Sequence, residues 1–191
     1  MPAMNIPMVD SCRRGLALLG LGAALSLSFS TPVRADGHER AGTALSWALP
    51  AGVAGYELYQ GDREGALQFG KAFVVTLGAT EVLKRTTGVD RPNGKDDDAF
   101  PSGHAARAFS AAAYVHRRHG IEAAWPMYLA AGYVGWTRVH ADEHRWRDVL
   151  GGAALSAAAT WWLVDPKQER RVTVLPLIGP HGAGVEVSAR W

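Results

Sequence analysis

A chain of 191 residues that is 48% hydrophobic and 20% charged has the composition of one folded domain, which excludes a disordered or fibrous polymer. The formal net charge of +2 is no argument for a nucleic-acid partner. The single cysteine excludes an internal disulfide and a thiolate metal cluster.

At the N-terminus, Arg13 and Arg14 precede the apolar run GLALLGLGAALSLSF, and Pro32 and the small-x-small pattern Val33-Arg34-Ala35 follow it. This order predicts a secretory signal over residues 1–35, cleaved after Ala35, because a run of about 15 apolar residues is short for a membrane span. Cys12 lies before the run and is poorly placed to accept a lipid. Cleavage removes Arg13, Arg14, Arg34 and Asp10, three positive charges and one negative, and takes the formal charge of +2 to zero. The expected location is therefore periplasmic or secreted, with a single domain over residues 36–170 and a tail over 171–191.

Residues 36–42 read as a flexible leader. Residues 43–59 read as one bent helix or two short ones, since Pro50 and Gly52 interrupt an apolar stretch. A helix is predicted over 64–86, with Lys84 and Arg85 in the last turn, where cations suit the helix dipole, and Gly88 as its stop. The segment GVDRPNGKDDDAFPSG is a long surface loop. Ser102 is the N-cap of a third helix that stops at Gly120. A fourth helix runs from Ile121 to about Trp136, the polar stretch TRVHADEHRW follows, and Arg147 to Val164 is a fifth. The tail alternates in VTVLPLI and GVEVSARW around a Gly-Pro-His-Gly turn, the pattern of a β-hairpin. The fold class is thus an all-α bundle of about five core helices with a C-terminal β-hairpin.

Two polar clusters flank helices three to five. The first is Lys84, six residues, Arg91-Pro92, then Pro101-Ser102-Gly103-His104. The second is Thr137-Arg138, five residues, His144, three residues, Asp148. A phosphoryl group needs cations for its equatorial oxygens, backbone N–H donors, an in-line nucleophile and an acid for the leaving oxygen. Lys84, Arg91 and Arg138 supply the cations, the two arginines in bidentate geometry. Ser102 and Gly103 open a helix whose free N–H groups seat an anion. His144 and Asp148 stand four residues apart, so the carboxylate is expected to hold one imidazole nitrogen and free the other to attack. His104 is then the natural general acid.

These three ordered segments resemble the signatures of the type-2 phosphatidic acid phosphatase (PAP2) and haloperoxidase superfamily, over roughly residues 64–164. The resemblance implies an all-α core, a phosphohistidine intermediate on His144, leaving-group protonation and later water activation by His104, phosphate binding by Lys84, Arg91, Ser102, Gly103 and Arg138, and no metal or other cofactor. The family's third signature usually opens on serine; here that position is Thr137, which keeps a hydroxyl. The implied partner is a phosphorylated lipid or a small phosphomonoester, with contact to a membrane surface.

Two other chemistries use the same residues. His140-Ala-Asp-Glu143-His144 fits the HxxEH pattern of zinc peptidases, with Glu143 as base, although it leaves Lys84, Arg91 and His104 idle. The same phosphate cradle suits vanadate, hence halide oxidation. An integral membrane bundle is the alternative to a soluble one; against it stand a mean hydropathy of −0.06 and the charges of Lys71, Glu81 and Arg107 inside the candidate spans.

Overall fold

The computed structural model describes residues 35–167, 171–179 and 182–190. The expected signal peptide, all but its last residue, and the centre of the expected hairpin turn lie outside the described residues. Five helices follow in order: α1 (Ala35–Tyr59), α2 (Arg63–Thr87), α3 (Gly103–His119), α4 (Ile121–His140) and α5 (Trp146–Leu163). The tail forms the hairpin, β1 (Arg171–Gly179) pairing antiparallel with β2 (Gly182–Arg190) from Arg171 opposite Arg190 to Gly179 opposite Gly182.

Helix α3 is the axle of the bundle. Ala105, Ala106, Ala108, Ala111, Ala112 and Ala113 are all buried, so it has no solvent face over these turns and behaves as a helix surrounded by partners. The other helices stand round it in the order α4, α1, α2, α5, each touching its neighbour, with only slight contact between α5 and α4. Alanine and glycine let the backbones approach. A Cβ on Gly152 of α5 would lie 2.7 Å from the Ser102 carbonyl oxygen and 3.0 Å from the Ala106 nitrogen, so α5 packs directly on the start of α3.

Local signals set most of the boundaries. The Asp62 side chain caps α2 by accepting from Gly65 N at 2.8 Å, and Gly88 ends it in the left-handed conformation that glycine tolerates best. Ser102 caps α3 in an extended conformation, as its position predicts.

Two expectations fail. Residues 36–42 are not a leader but the first turns of a continuous α1 that carries Pro50 inside it. Its N-terminal turns are held by tertiary contacts: His38 Nδ1 meets the Tyr133 hydroxyl at 2.8 Å, and Arg138 donates to the Glu39 carbonyl at 2.5 Å. Helix α4 also runs past Trp136 to His140, so Thr137 and Arg138 lie on its last turn rather than in a loop.

Apolar side chains are not confined to the core. Val74 on α2, Leu129 on α4 and Trp162 on α5 are 67%, 66% and 79% exposed, and Trp125, Leu150 and Trp161 are also exposed. Helix α2 is long and apolar enough to cross a membrane, by length and composition. Trp146 and the Trp161–Trp162 pair, for which burial is the default reading, face outward.

Candidate active site

Lys84, Arg91, Gly103, His104, Arg107, Arg138, Glu143 and His144 line one cavity of about 160 Å³, several times the volume of a water molecule. Of the eight residues singled out in the sequence, six therefore converge. The other two, Ser102 and Asp148, are fully buried behind the wall. Ser102 Oγ accepts from Ala105 N at 3.5 Å, and Ser102 N donates to the Asp148 carbonyl at 2.9 Å. Those bonds tie the start of α3 to the start of α5.

The nucleophile candidate is held differently from the sequence expectation. His144 Nδ1 donates to the Ala99 carbonyl at 2.8 Å, while the nearer Asp148 carboxylate oxygen stands 4.0 Å away. Asp148 instead accepts from Arg145 N at 2.7 Å and caps α5. The correction has a physical reason: His144 precedes α5, so the helical geometry that would align residues four apart does not extend to it. The chemical result is the same tautomer, because a carbonyl only accepts; Nδ1 carries the proton and Nε2 keeps its lone pair. The buried negative charge of Asp148 remains close enough to favour an imidazolium there. Burial, and after it the Lys84 ammonium, nonetheless lower the His144 pKa to about 4, against the pull of the Ala99 carbonyl and Asp148.

His104 sits on the first turn of α3. Burial, then the guanidinium groups of Arg107 and Arg138, lower its pKa to about 3. Both histidines are neutral at pH 7.

The loop between α2 and α3 brings the cations in. Arg91 pairs with Asp98 at 2.6 Å and Asp96 at 2.5 Å, and also with Glu143. Lys84 donates to the Asp98 carbonyl and lies 3.3 Å from its carboxylate. The acidic run in this loop is therefore a clamp on Lys84 and Arg91 as well as a solvated surface. Burial opposes ionisation of Asp98, but its hydrogen bonds with Asp96, Arg91 and Lys84 outweigh that and hold it well below the usual carboxylate range. Asn93 N donates to the Asp142 carbonyl at 3.1 Å, and Ala99 N to Val89 O at 2.8 Å, which fastens the loop to the turn before His144.

The HxxEH reading fails on geometry. Helix α4 ends at His140, and Asp142 takes a positive φ of 54°, so His140 and His144 do not share a helix face. The exposed His140 ring stacks on Trp136 at 4.8 Å, His144 is buried against Ala99, and Glu143 is paired with Arg91 and Lys95. Among the described residues no three metal-donor side chains converge.

Two contributions escape the sequence reading. Helix α1 packs behind the site: a Cβ on Gly42 would collide with Thr137 Oγ1 and reach within 3.1 Å of an Arg138 nitrogen. Arg107 enters the cavity one turn after His104, a spacing of three residues that places the two side chains on one helix face and was the available signal.

Comparison with known proteins places this architecture. A family model described as "PAP2 superfamily" matches residues 65–171. The lipid A 1-phosphatase of Porphyromonas gingivalis is 33% identical over 94 residues, 46% of this chain and only 21% of that protein. The lipid A 4'-phosphatase of Helicobacter pylori is 28% identical over 159 residues, 75% of this chain and 80% of that one. Among solved structures, Aquifex aeolicus LpxE superposes with a TM-score of 0.59 at 18% identity, covering 76% of this chain and 93% of that one, a likeness of fold.

Proposed function

We propose that this chain, which belongs to the PAP2 superfamily, is a phosphatase of lipid phosphates or diphosphates that works through a phosphohistidine on His144. The observation that carries the reading is the bond from His144 Nδ1 to the Ala99 carbonyl, which leaves Nε2 unprotonated in a cavity lined by Lys84, Arg91 and Arg138. In that reading Nε2 attacks phosphorus in line while the three cations hold the equatorial oxygens. The P–O bond to the alcohol breaks, and the leaving oxygen takes a proton from His104. His104 then accepts a proton from the water that hydrolyses the phosphohistidine, which returns His144 and inorganic phosphate.

The proton on His104 needs a source, since burial and then the surrounding cations keep the imidazole neutral at pH 7. A phosphate ester seated among those cations offsets them. As a monoanion, below its second ionisation near pH 6, it also brings a proton into the site.

A lipid substrate is supported by the names of the two curated relatives and by the exposed apolar side chains of α2, α4 and α5. Large exposed apolar surfaces mark interaction sites, and a bilayer is the partner that presents phosphate groups beside hydrocarbon. The Arg13-Arg14 pair and the apolar run after it support export to the periplasmic side, with the enzyme at a membrane surface.

The test is release of inorganic phosphate from a detergent-dispersed lipid phosphate by the purified chain in EDTA, with and without vanadate. Turnover that survives chelation and falls with vanadate is the expected result. Turnover abolished by EDTA would reject the reading.

A further inference from the structure

The cavity holds a fourth cation that the phosphohistidine chemistry leaves unused, and the carboxylates around it are unevenly placed. Asp96, Asp98 and Glu143 all lie on the Lys84–Arg91 side. Arg138 makes one ion pair among the described residues, with the Glu39 carboxylate at 3.9 Å. Arg107 has no ion pair among the described residues. Its contacts are Ser46 Oγ at 3.4 Å and the Trp47 ring, 4.4 Å from the guanidinium carbon to the ring centroid, and its Nε is buried without a hydrogen-bond partner. Burial and the neighbouring Arg138 pull Arg107 below the ordinary arginine range, as befits a guanidinium without a counter-ion.

Its position is specific. A Cβ on Gly103 would lie 3.8 Å from Lys84 Cε and 3.9 Å from Arg107 Nη1, so the two cations flank one point over the N-terminus of α3. An anion held by Lys84 and Arg91 is therefore within one bridging oxygen of an anion held by Arg107. Trp47, half exposed on α1, lies under the guanidinium carbon and restricts where the group can point.

We infer that Arg107, held by Ser46 and Trp47, forms a second anion subsite beside the transferred phosphoryl, and that the preferred substrates carry a further phosphate there, as diphosphate monoesters do. The assignment rests on the phosphatase reading of the same cavity. With such a substrate His144 Nε2 bonds to the terminal phosphorus, the bond from that phosphorus to the bridging oxygen breaks, and the bridging oxygen leaves on a phosphate monoester. Arg107 holds that departing phosphate, which lessens the demand on His104 for a proton. Water then releases orthophosphate from His144, so one diphosphate and one water yield one monophosphate and one orthophosphate.

Calorimetric titration of the whole chain with pyrophosphate and with orthophosphate tests the subsite without turnover. The expected result is that Arg107→Gln lowers pyrophosphate affinity at least tenfold more than orthophosphate affinity, that Lys84→Gln lowers both to a similar degree, and that Arg107→Lys retains part of the preference. Equal losses in Arg107→Gln, or no preference for pyrophosphate in the wild type, would overturn the subsite. A wild type that shows the Arg107-dependent preference yet releases no phosphate from hexyl monophosphate or hexyl diphosphate would instead reject the phosphatase reading and leave the subsite standing.

Discussion

The two ends of α3 carry similar charged residues and treat them in opposite ways. At the C-terminal end Arg118 grips Asp62 with two bonds of 2.9 and 2.7 Å, Lys167 joins the same carboxylate at 3.0 Å, and His119 meets the buried Glu57 at 2.5 Å. At the N-terminal end the cations converge on a cavity, and Arg107 meets no carboxylate among the described residues. The first arrangement spends its charge on holding helices together; the second keeps it available. Arg118 and Arg107 are thus distinguished by whether a carboxylate of the described residues meets the guanidinium.

Substitutions sharpen that contrast. The largest effect is expected from His144→Ala, which should lower kcat by at least about 10⁴-fold while thermal denaturation shows a folded chain; a variant with substantial turnover would remove His144 from the chemistry. Arg118→Ala should act the other way round. Loss of one member of a buried pair should cost about 3 kcal/mol of stability, read by urea denaturation, with kcat per folded molecule close to that of wild type. Asp62 gives this end a pH signature as well. Burial opposes its ionisation, but the Gly65 N–H, Arg118 and Lys167 more than offset that and hold its pKa below the ordinary 3.8. The stability it contributes is therefore present above about pH 4 and fades as pH falls beneath the ordinary value.

Gly152→Ala probes the join between the ends and the fold. The added methyl meets backbone atoms of Ser102 and Ala106 that have nowhere to move except with α3 itself. A loss of about 2 kcal/mol is expected, together with weaker vanadate inhibition, because the α3 N-terminus shifts; unchanged inhibition would detach Ser102 from the phosphate seat. Glu143→Gln should have the smallest effect and the opposite sign. It frees Arg91 and Lys95 from a competing carboxylate, so the inhibition constant for phosphate should fall roughly fivefold, about 1 kcal/mol. Finally, kcat/KM should peak between the His144 pKa of about 4 and the substrate's second ionisation near about 6. A maximum above pH 7 would mean that His104 gains its proton from somewhere other than the ester.

Helices α2 to α5 were legible because their signals are local: Ser102, Gly88 and Gly120 punctuate apolar runs of helical period. The convergence of Lys84, Arg91 and Arg138 was legible for another reason, since their spacing and chemistry together suit one reaction. What escaped depends on contacts between distant segments. Residues 36–42 look like a leader because Gly37 and Gly42 are poor helix formers, and only the docking of His38, Glu39 and Gly42 on α4 explains their helix. Arg107 reads as a charge in an otherwise apolar helix until Ser46 and Trp47 of α1 come beside it. The partner of His144 is a backbone carbonyl, and no side chain announces a carbonyl.

That last feature bears on how the enzyme would look to mutagenesis. The acceptor that fixes the nucleophile's tautomer belongs to every amino acid alike, so replacing Ala99 changes a methyl group and leaves the orienting oxygen where it was. A scan of side chains across the site would return His144, Asp148 and Arg91 as sensitive and pass over residue 99. Its contribution would surface only in changes that move the chain itself, such as a residue added to or removed from the loop between Gly88 and Ser102, which would displace the oxygen and the Arg91 guanidinium in one step.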